Sequence, residues 1–521
     1  MSGIQGPPAL GEVQGQSPCR GPGQRPGALV AMRGISKRFG TVQACAGIDL
    51  TVHAGEILGL LGENGAGKTT LMNILFGTYA ADAGSIEVDG RPVRVASSAD
   101  ALRLGIGMVH QHFQLVPRHT VLENLLVGRG LDRATALARL EAIGRDFRLM
   151  LAPDALVGDL SVGEQQRVEI AKSLVRGARV LVLDEPTATL TPEESRGLFA
   201  ALRAMAARGL GVIFISHKLG EVLDLTSRIT VLRHGRVVAA CDNDGTLSRA
   251  GLARMMCGRE LAPPVREALA PGRPLLQIET VSARRGRSAL HEVSLTVRAH
   301  EIVGIAGVAG NGQRELADLV AGVLSPERGR VLVEGVPVPR PDPREMQARG
   351  IGRVPEDRLV TGMIPSLSLA ESMALPRFGQ KPFSRFGLLD RAAMRRFAQE
   401  QIFRFDIRTS GPQARSGTLS GGNLQKALLA RELAWNPRLL LVAQPTRGID
   451  IGAAERVHRC FLDLRRAGGG VLLISEDLEE LFALSDRIAV MFAGRIVADL
   501  PVAEASVERI GLLMAGVAEA A

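Results

Sequence analysis

Disulfide chemistry has little to work with in this chain. Its five cysteines, Cys19, Cys45, Cys241, Cys257 and Cys460, lie far apart and form no CxxC pair. That spacing argues against a disulfide scaffold and a thiolate metal cluster, and it suits a reducing compartment. No uninterrupted apolar run approaches the roughly 18 residues that a membrane helix needs, so a bilayer span is not expected. The first residues, MSGIQGPPAL, lack the basic-then-apolar pattern of a secretory signal, and none is expected. Charge of one sign is scarce too: 63 Lys and Arg against 54 Asp and Glu leave +9 over 521 residues. Such an excess permits contact with lipid headgroups, nucleic acid or nucleotide without demanding it. What remains is globular in kind, 46% apolar and 22% charged, and long enough for several domains.

Residues 1–27 are rich in Gly, Pro and Gln with no helical or strand period, and they read as a disordered tail. Met32 leaves a downstream start open. From Ala28 onward, short Val/Ile/Leu runs alternate with Gly-rich turns and amphipathic stretches. The run VLVL at 180–183 reads as a parallel strand buried on both faces, which points to an α/β architecture. The chain then repeats itself. GEILGLLGENGAG at 55–67 returns as HEIVGIAGVAGNG at 300–312, and LSVGEQQRVEIAKSL at 160–174 returns as LSGGNLQKALLAREL at 419–433. Internal spacings are kept: 43 residues from Lys68 to Gln111 and from Gln313 to Glu356, and 33 from Asp184 to His217 and from Ala443 to Glu476. Ser161 to Asp184 and Ser420 to Ala443 are both 23. Only the stretch before the second LSGGN is longer, by 14 residues, with KPFSRFGLL among the candidates for the insertion. The copies are expected at 28–258 and 274–515, joined by a Pro-rich linker at 259–273.

The first copy carries Gly62-Glu63-Asn64-Gly65-Ala66-Gly67-Lys68-Thr69-Thr70 directly after an apolar run and before a helical stretch. Glycines there let backbone N–H groups close around phosphates, and the helix N-terminus adds positive potential. Lys68 would reach the β- and γ-phosphates and the Thr69 hydroxyl would ligate Mg²⁺. VLVLDEP delivers Asp184 and Glu185 to the same place, Asp184 to hold Mg²⁺ and Glu185 as general base. Alone, such a pair is more often a solvated acidic turn; beside a phosphate loop the preference reverses. His217 follows another apolar strand and could touch the γ-phosphate. His110 and His112 flank Gln111, but two nitrogens without a third ligand make a weak metal pair. Phe39, ahead of the loop, could stack on adenine, with a buried core position as the alternative.

These residues together resemble the ATP-binding subunits of ABC transporters, twice over, from Ala28 to about Ala515. LSGGN or LSVGE followed 23 residues later by the DEP position is the strongest mark. By that resemblance, 62–70 is the Walker A loop and Gln111 the Q-loop residue, a further Mg²⁺ contact. Asp184 is the Walker B aspartate, Glu185 the catalytic glutamate and His217 the switch histidine. The resemblance implies two RecA-like cassettes, each with an antiparallel and a helical subdomain.

The second copy departs from the pattern. Gln313, Arg314, Glu356, Ala443, Gln444 and Glu476 stand where Lys68, Thr69, Gln111, Asp184, Glu185 and His217 stand in the first. Without the Lys, the Mg²⁺ ligand and the base, its own loop is not expected to hydrolyse ATP. It keeps the better signature, LSGGN, where the first copy has Val162 in LSVGE. Head-to-tail pairing would gather every intact element into one site, with Ser420, Gly421 and Gly422 presented to the γ-phosphate. A degenerate second half resembles bacterial sugar and nucleoside importers. HQHF, PEDR and AQPTRGIDIGA look like the nucleoside branch, with a simple-sugar importer as the alternative. That resemblance implies two membrane permease subunits, an extracytoplasmic solute-binding protein, a place on the cytoplasmic face of the membrane and no nucleic-acid partner. The rivals are a soluble twin ATPase acting on ribosomes or DNA, an exporter ATPase and a nucleotide-binding scaffold without turnover.

Overall fold

The computed structural model describes residues 27–110, 113–128, 131–187, 190–260, 265–286, 288–308 and 310–516. Each half centres on a six-stranded sheet. In the first half the order is Arg236–Asp242, Arg228–Arg233, Ile57–Gly62, Gly211–Ile215, Val180–Asp184, Ile106–Val109. The second half repeats it as Arg495–Pro501, Arg487–Phe492, Ile302–Ala306, Gly470–Ile474, Leu439–Ala443, Ile351–Val354. Neighbours pair in parallel except at the outer hairpin of each sheet. A four-stranded antiparallel sheet lies beside each one, Ala28–Phe39 at its heart in the first half and Pro274–Arg285 in the second. The expected α/β class, in two copies, holds.

The apolar runs are continuous because the central strands are buried on both faces. Leu58, Leu60, Val182 and Ile213 pack into one core with the antiparallel sheet. Their neighbours Leu61, Leu181, Leu183 and Phe214 point the other way, under the helices Val162–Val175 and Pro192–Ala207. Parallel pairing then sets the C-terminal ends of Ile57–Gly62, Gly211–Ile215 and Val180–Asp184 along one edge. Gly62, His217 and Asp184 emerge side by side there.

The longer stretch of the second half forms a small hairpin, Ser384–Arg385 with Leu388–Leu389, inside KPFSRFGLL. The segment after residue 264 is bound to the second half: the Glu267 carbonyl accepts from Arg465 at 3.0 Å, and Arg266 pairs with Asp486 at 3.2 Å. Between the halves run the ion pairs Arg249–Glu479 at 3.1 Å and Arg259–Glu455 at 2.9 Å. No helix among the described residues is long and apolar enough to cross a membrane.

Candidate active site

The 62–70 loop turns through left-handed backbone at Gly62, Gly65 and Gly67. Two of these positions have no room for a side chain. A Cβ at Gly62 would drive into the Leu232 carbonyl, and one at Gly67 into the Ala44 carbonyl. Gly67 caps the helix Lys68–Leu75, whose first N–H groups have no side-chain partner and so point at the space the loop encloses. Lys68 folds back into the loop, donating to the Gly62 carbonyl at 2.6 Å and the Glu63 carbonyl at 3.1 Å. Burial pulls its ammonium below the ordinary value, against the opposing pull of Glu185, Asp184 and Glu63.

Asp184 ends its strand 8% exposed. Burial and the neighbouring Glu185 push its carboxyl up to about 6, although Lys68 and a hydrogen bond from Thr69 work the other way. A hydroxyl and a carboxylate placed together, with negative charge left over, form a hard oxygen donor set that suits Mg²⁺. Glu185 takes left-handed backbone at φ 51, a cost for a non-glycine residue that turns its carboxylate from the strand toward His217. His217 Nδ1 lies 3.1 Å from Glu185 Oε1. Burial pushes the Glu185 carboxyl up, but the His217 hydrogen bond and the charges of His217, Lys68 and Lys218 outweigh it and hold it below its ordinary value. The structure therefore brings Lys68, Thr69, Asp184, Glu185 and His217 to one place. Gln111 and His112 lie outside the described residues.

Across the interface, Asn64 Nδ2 donates to the Gly448 carbonyl at 2.8 Å. A Cβ at Gly421 would sit 3.6 Å from that same oxygen. The phosphate loop of the first half and the LSGGN helix of the second thus meet around one carbonyl. Ser420 and Gly421 are exposed at the start of Gly421–Leu433, and the Ser420 hydroxyl accepts from Asn423 Nδ2 at 2.8 Å instead of capping its own helix. The first-half counterpart differs. Ser161 and Glu164 form a capping box, with Ser161 Oγ accepting the Glu164 N–H at 3.3 Å and Glu164 Oε2 accepting the Ser161 N–H at 2.9 Å. One helix start has no side-chain cap; at the other, a hydroxyl takes the Glu164 N–H and a carboxylate takes the Ser161 N–H. Sequence reasoning singled out Val162 and overlooked Glu164, although S-x-x-E ahead of a helix is a readable capping signal.

Phe39 lies 43% exposed at the end of Ala28–Phe39, its ring edge-on to Tyr79 at 5.4 Å with Lys37 Nζ 5.6 Å from its centroid. It is not a core residue. Tyr79, a partner forty positions along, was not anticipated, since no local pattern links the two.

The second copy keeps the frame and changes the chemistry. Gln444 holds φ 49, matching Glu185, and its Oε1 accepts the Glu476 N–H at 3.3 Å. Glu356 pairs with Arg447 at 2.6 Å. Burial raises the Glu476 carboxyl, countered by Arg447. Where Phe39 stood, Arg285 reaches the buried Asp318, which also takes Arg353 at 2.9 Å. A cavity of about 690 Å³ between the halves is lined by Glu185, His217 and Val162 on one side and by Gln444, Arg447 and Glu476 on the other.

The whole chain has relatives among known proteins. The ABC transporter family profile matches residues 45–188 and 290–447. The glucose import ATP-binding protein of Haloferax volcanii is 44% identical over 94% of this chain and 96% of its own length. The guanosine import ATP-binding protein of Bacillus subtilis is 43% identical over 94% of this chain and 97% of its own. Among solved structures, the archaeal ribosome recycling factor aABCE1, in complex with the stalk protein aP1, has a TM-score of 0.63 over 93% of this chain and 92% of that one. At 19% identity it shares the fold alone.

Proposed function

Since the chain belongs to the ABC transporter family, as an ATPase coupled to import, we propose that it energises nucleoside uptake from one composite ATP site. The observation that carries the composite site is the 2.8 Å bond from Asn64 to the Gly448 carbonyl, beside Gly421. The backbone N–H groups of 62–70 cradle the phosphates, and Lys68 exchanges its carbonyl partners for phosphate oxygens. Phe39, steadied by Tyr79, stacks on adenine. Thr69, Asp184 and Gln111 would hold Mg²⁺, which would supply charge neutralisation at the phosphates. Glu185 takes the proton of the attacking water while His217 holds its carboxylate in place. The water oxygen bonds to the γ-phosphorus, the bond to the bridging oxygen breaks, and ADP leaves with that electron pair. Ser420, Gly421 and Gly422 close over the γ-phosphate and let go once it has been released, so turnover opens and closes the two halves.

Import ATP-binding subunits work with membrane permeases. For this chain we take the assembly to be two permease subunits and an extracytoplasmic solute-binding protein, with the ATPase on the cytoplasmic face. The nucleoside assignment is supported by HQHF, PEDR and AQPTRGIDIGA and by the guanosine-import relative. The glucose-import relative supports a sugar solute at similar identity, and one assay separates the two. In cells holding Lys68→Ala as the only copy, uptake of labelled purine nucleoside is expected to fail while pentose uptake continues. Loss of pentose uptake alone would replace the nucleoside with a sugar. Glu185→Gln should bind ATP and release no phosphate.

A further inference from the structure

Ten of the 14 extra residues of the second half fall in one connection, and it is not a slack loop. In the first half, the helices Val121–Leu126 and Arg133–Phe147 are joined directly by residues 127–132. In the second half, residues 375–390 separate Leu369–Ala374 from Arg391–Arg404. The insertion is anchored at its base by Phe383, fully buried and edge-on to Phe397 at 5.2 Å and to Trp435 at 5.8 Å. Arg377 covers the Trp435 ring at 4.6 Å. On that base stands a hairpin in which Ser384 faces Leu389 and Arg385 faces Leu388.

A two-residue hairpin turn with left-handed backbone at both positions takes Asn or Gly without strain. Here the turn is Phe386-Gly387, at φ 52 and φ 80, and Phe386 is 92% exposed. A bulky aromatic in that conformation offends local backbone preference, and its ring, largely in solvent, meets the Arg385 guanidinium 5.3 Å from its centroid. Leu388 beside it is 77% exposed and Leu389 52%. Around the tip the charge is strongly one-sided: from Lys381 to Arg396 there are five Lys and Arg against Asp390 alone. Lys381, Arg385, Arg391, Arg395 and Arg396 are all exposed.

We propose that this hairpin is a membrane-interface anchor, inserting Phe386 and Leu388 among the headgroups of anionic lipids while the surrounding cations pair with phosphates. An aromatic and a leucine at the hairpin tip supply the apolar depth, and the cations supply the preference for negative lipid. The anchor belongs to the second half alone, so the chain meets the bilayer asymmetrically. This stands apart from the identity of the solute.

The test is co-sedimentation of the full chain with phosphatidylcholine vesicles, with and without phosphatidylglycerol. Binding is expected with the anionic vesicles and much less without them. Phe386→Asn with Leu388→Thr suits the turn backbone, leaves the ATP site untouched and should weaken anionic-vesicle binding by about tenfold. ATPase rate and melting temperature should stay at parental levels, which separates lost anchoring from lost fold. Phe403→Asn removes an aromatic 88% exposed at the far end of its helix and should change nothing. Three outcomes overturn the proposal: no vesicle binding by the parent chain, equal loss with Phe403→Asn, or unchanged vesicle binding by a hairpin variant that no longer assembles with its permease. The last result would give the surface to a protein partner.

Discussion

Asp184 sits where charge is costly, and that cost is measurable. Its carboxyl titrates near 6 in the fold against an ordinary 3.8, through burial first and Glu185 second. The folded state therefore keeps a proton that the unfolded chain has lost. Stability from that proton is fully present below the unfolded value and disappears as pH rises through 6. Above neutrality, the ligand-free chain carries a penalty of up to about 3 kcal/mol at this one carboxylate. Asp184→Asn should abolish turnover and yet raise the melting temperature at pH 8, measured without nucleotide or magnesium, with the gain shrinking toward zero near pH 4. A melting temperature no higher than the parent's at pH 8, or a gain undiminished at low pH, would sink this account. The same reasoning explains the arrangement around the residue. Thr69 and Lys68 only partly offset the charge, which leaves an electrostatic deficit for a bound cation to fill. Folding stability has been given up for binding chemistry at this position.

At the scale of elements, the two signature helices begin alike and differ in what they do with their first N–H groups. Val162–Val175 closes its own N-terminus with Glu164, whereas Gly421–Leu433 has Asn423 at the same position and no side-chain cap. That box occupies the Ser161 and Glu164 N–H groups and sets a negative charge at the helix start, which repels an incoming phosphate. Asn423→Glu should install a capping box on the second helix, keep or raise its thermal stability, and cut phosphate release at least tenfold. Glu164→Gln should leave release nearly unchanged. If Asn423→Glu turns over at the parental rate, the helix N-terminus is not the phosphate partner argued here. This contrast also marks how far sequence carries. The 62–70 loop and VLVLDEP were legible because their constraints are local: glycines where a Cβ collides with Leu232 and Ala44, and a strand apolar at every position because both faces are covered. The two-copy architecture was legible because spacing survived when side chains did not. Contacts such as Asn64 with Gly448, 384 positions apart, or Phe39 with Tyr79, leave no local pattern to read. Glu164 did leave one, but its motif was read for its glycines and not for its cap.

For the whole molecule, the question is why one site works and its pseudo-symmetric twin does not. The second loop has Gln313 and Arg314, and its strand ends in Ala443 and Gln444, so its defects look repairable. The facing surface is not neutral, however. Head-to-tail pairing sets Val162 and the self-capped Ser161 helix opposite that loop, just as Gly421 and the open Ser420 helix lie opposite the first. Val162, 41% exposed, lines the cavity between the halves with Gln444 and Glu476. Restoring the second half with Gln313→Lys, Arg314→Thr, Glu356→Gln, Ala443→Asp, Gln444→Glu and Glu476→His should therefore add a second bound nucleotide per chain and leave phosphate release at the parental rate. Only when Val162→Gly and Glu164→Asn are added should release rise, toward about twice the parental value, because both γ-phosphates then meet uncapped N–H groups at once. Equilibrium dialysis counts the nucleotides and a phosphate assay reads the rate. If the six-residue repair alone doubles release, each half works with its own signature or needs none, and the one-site motor falls with it.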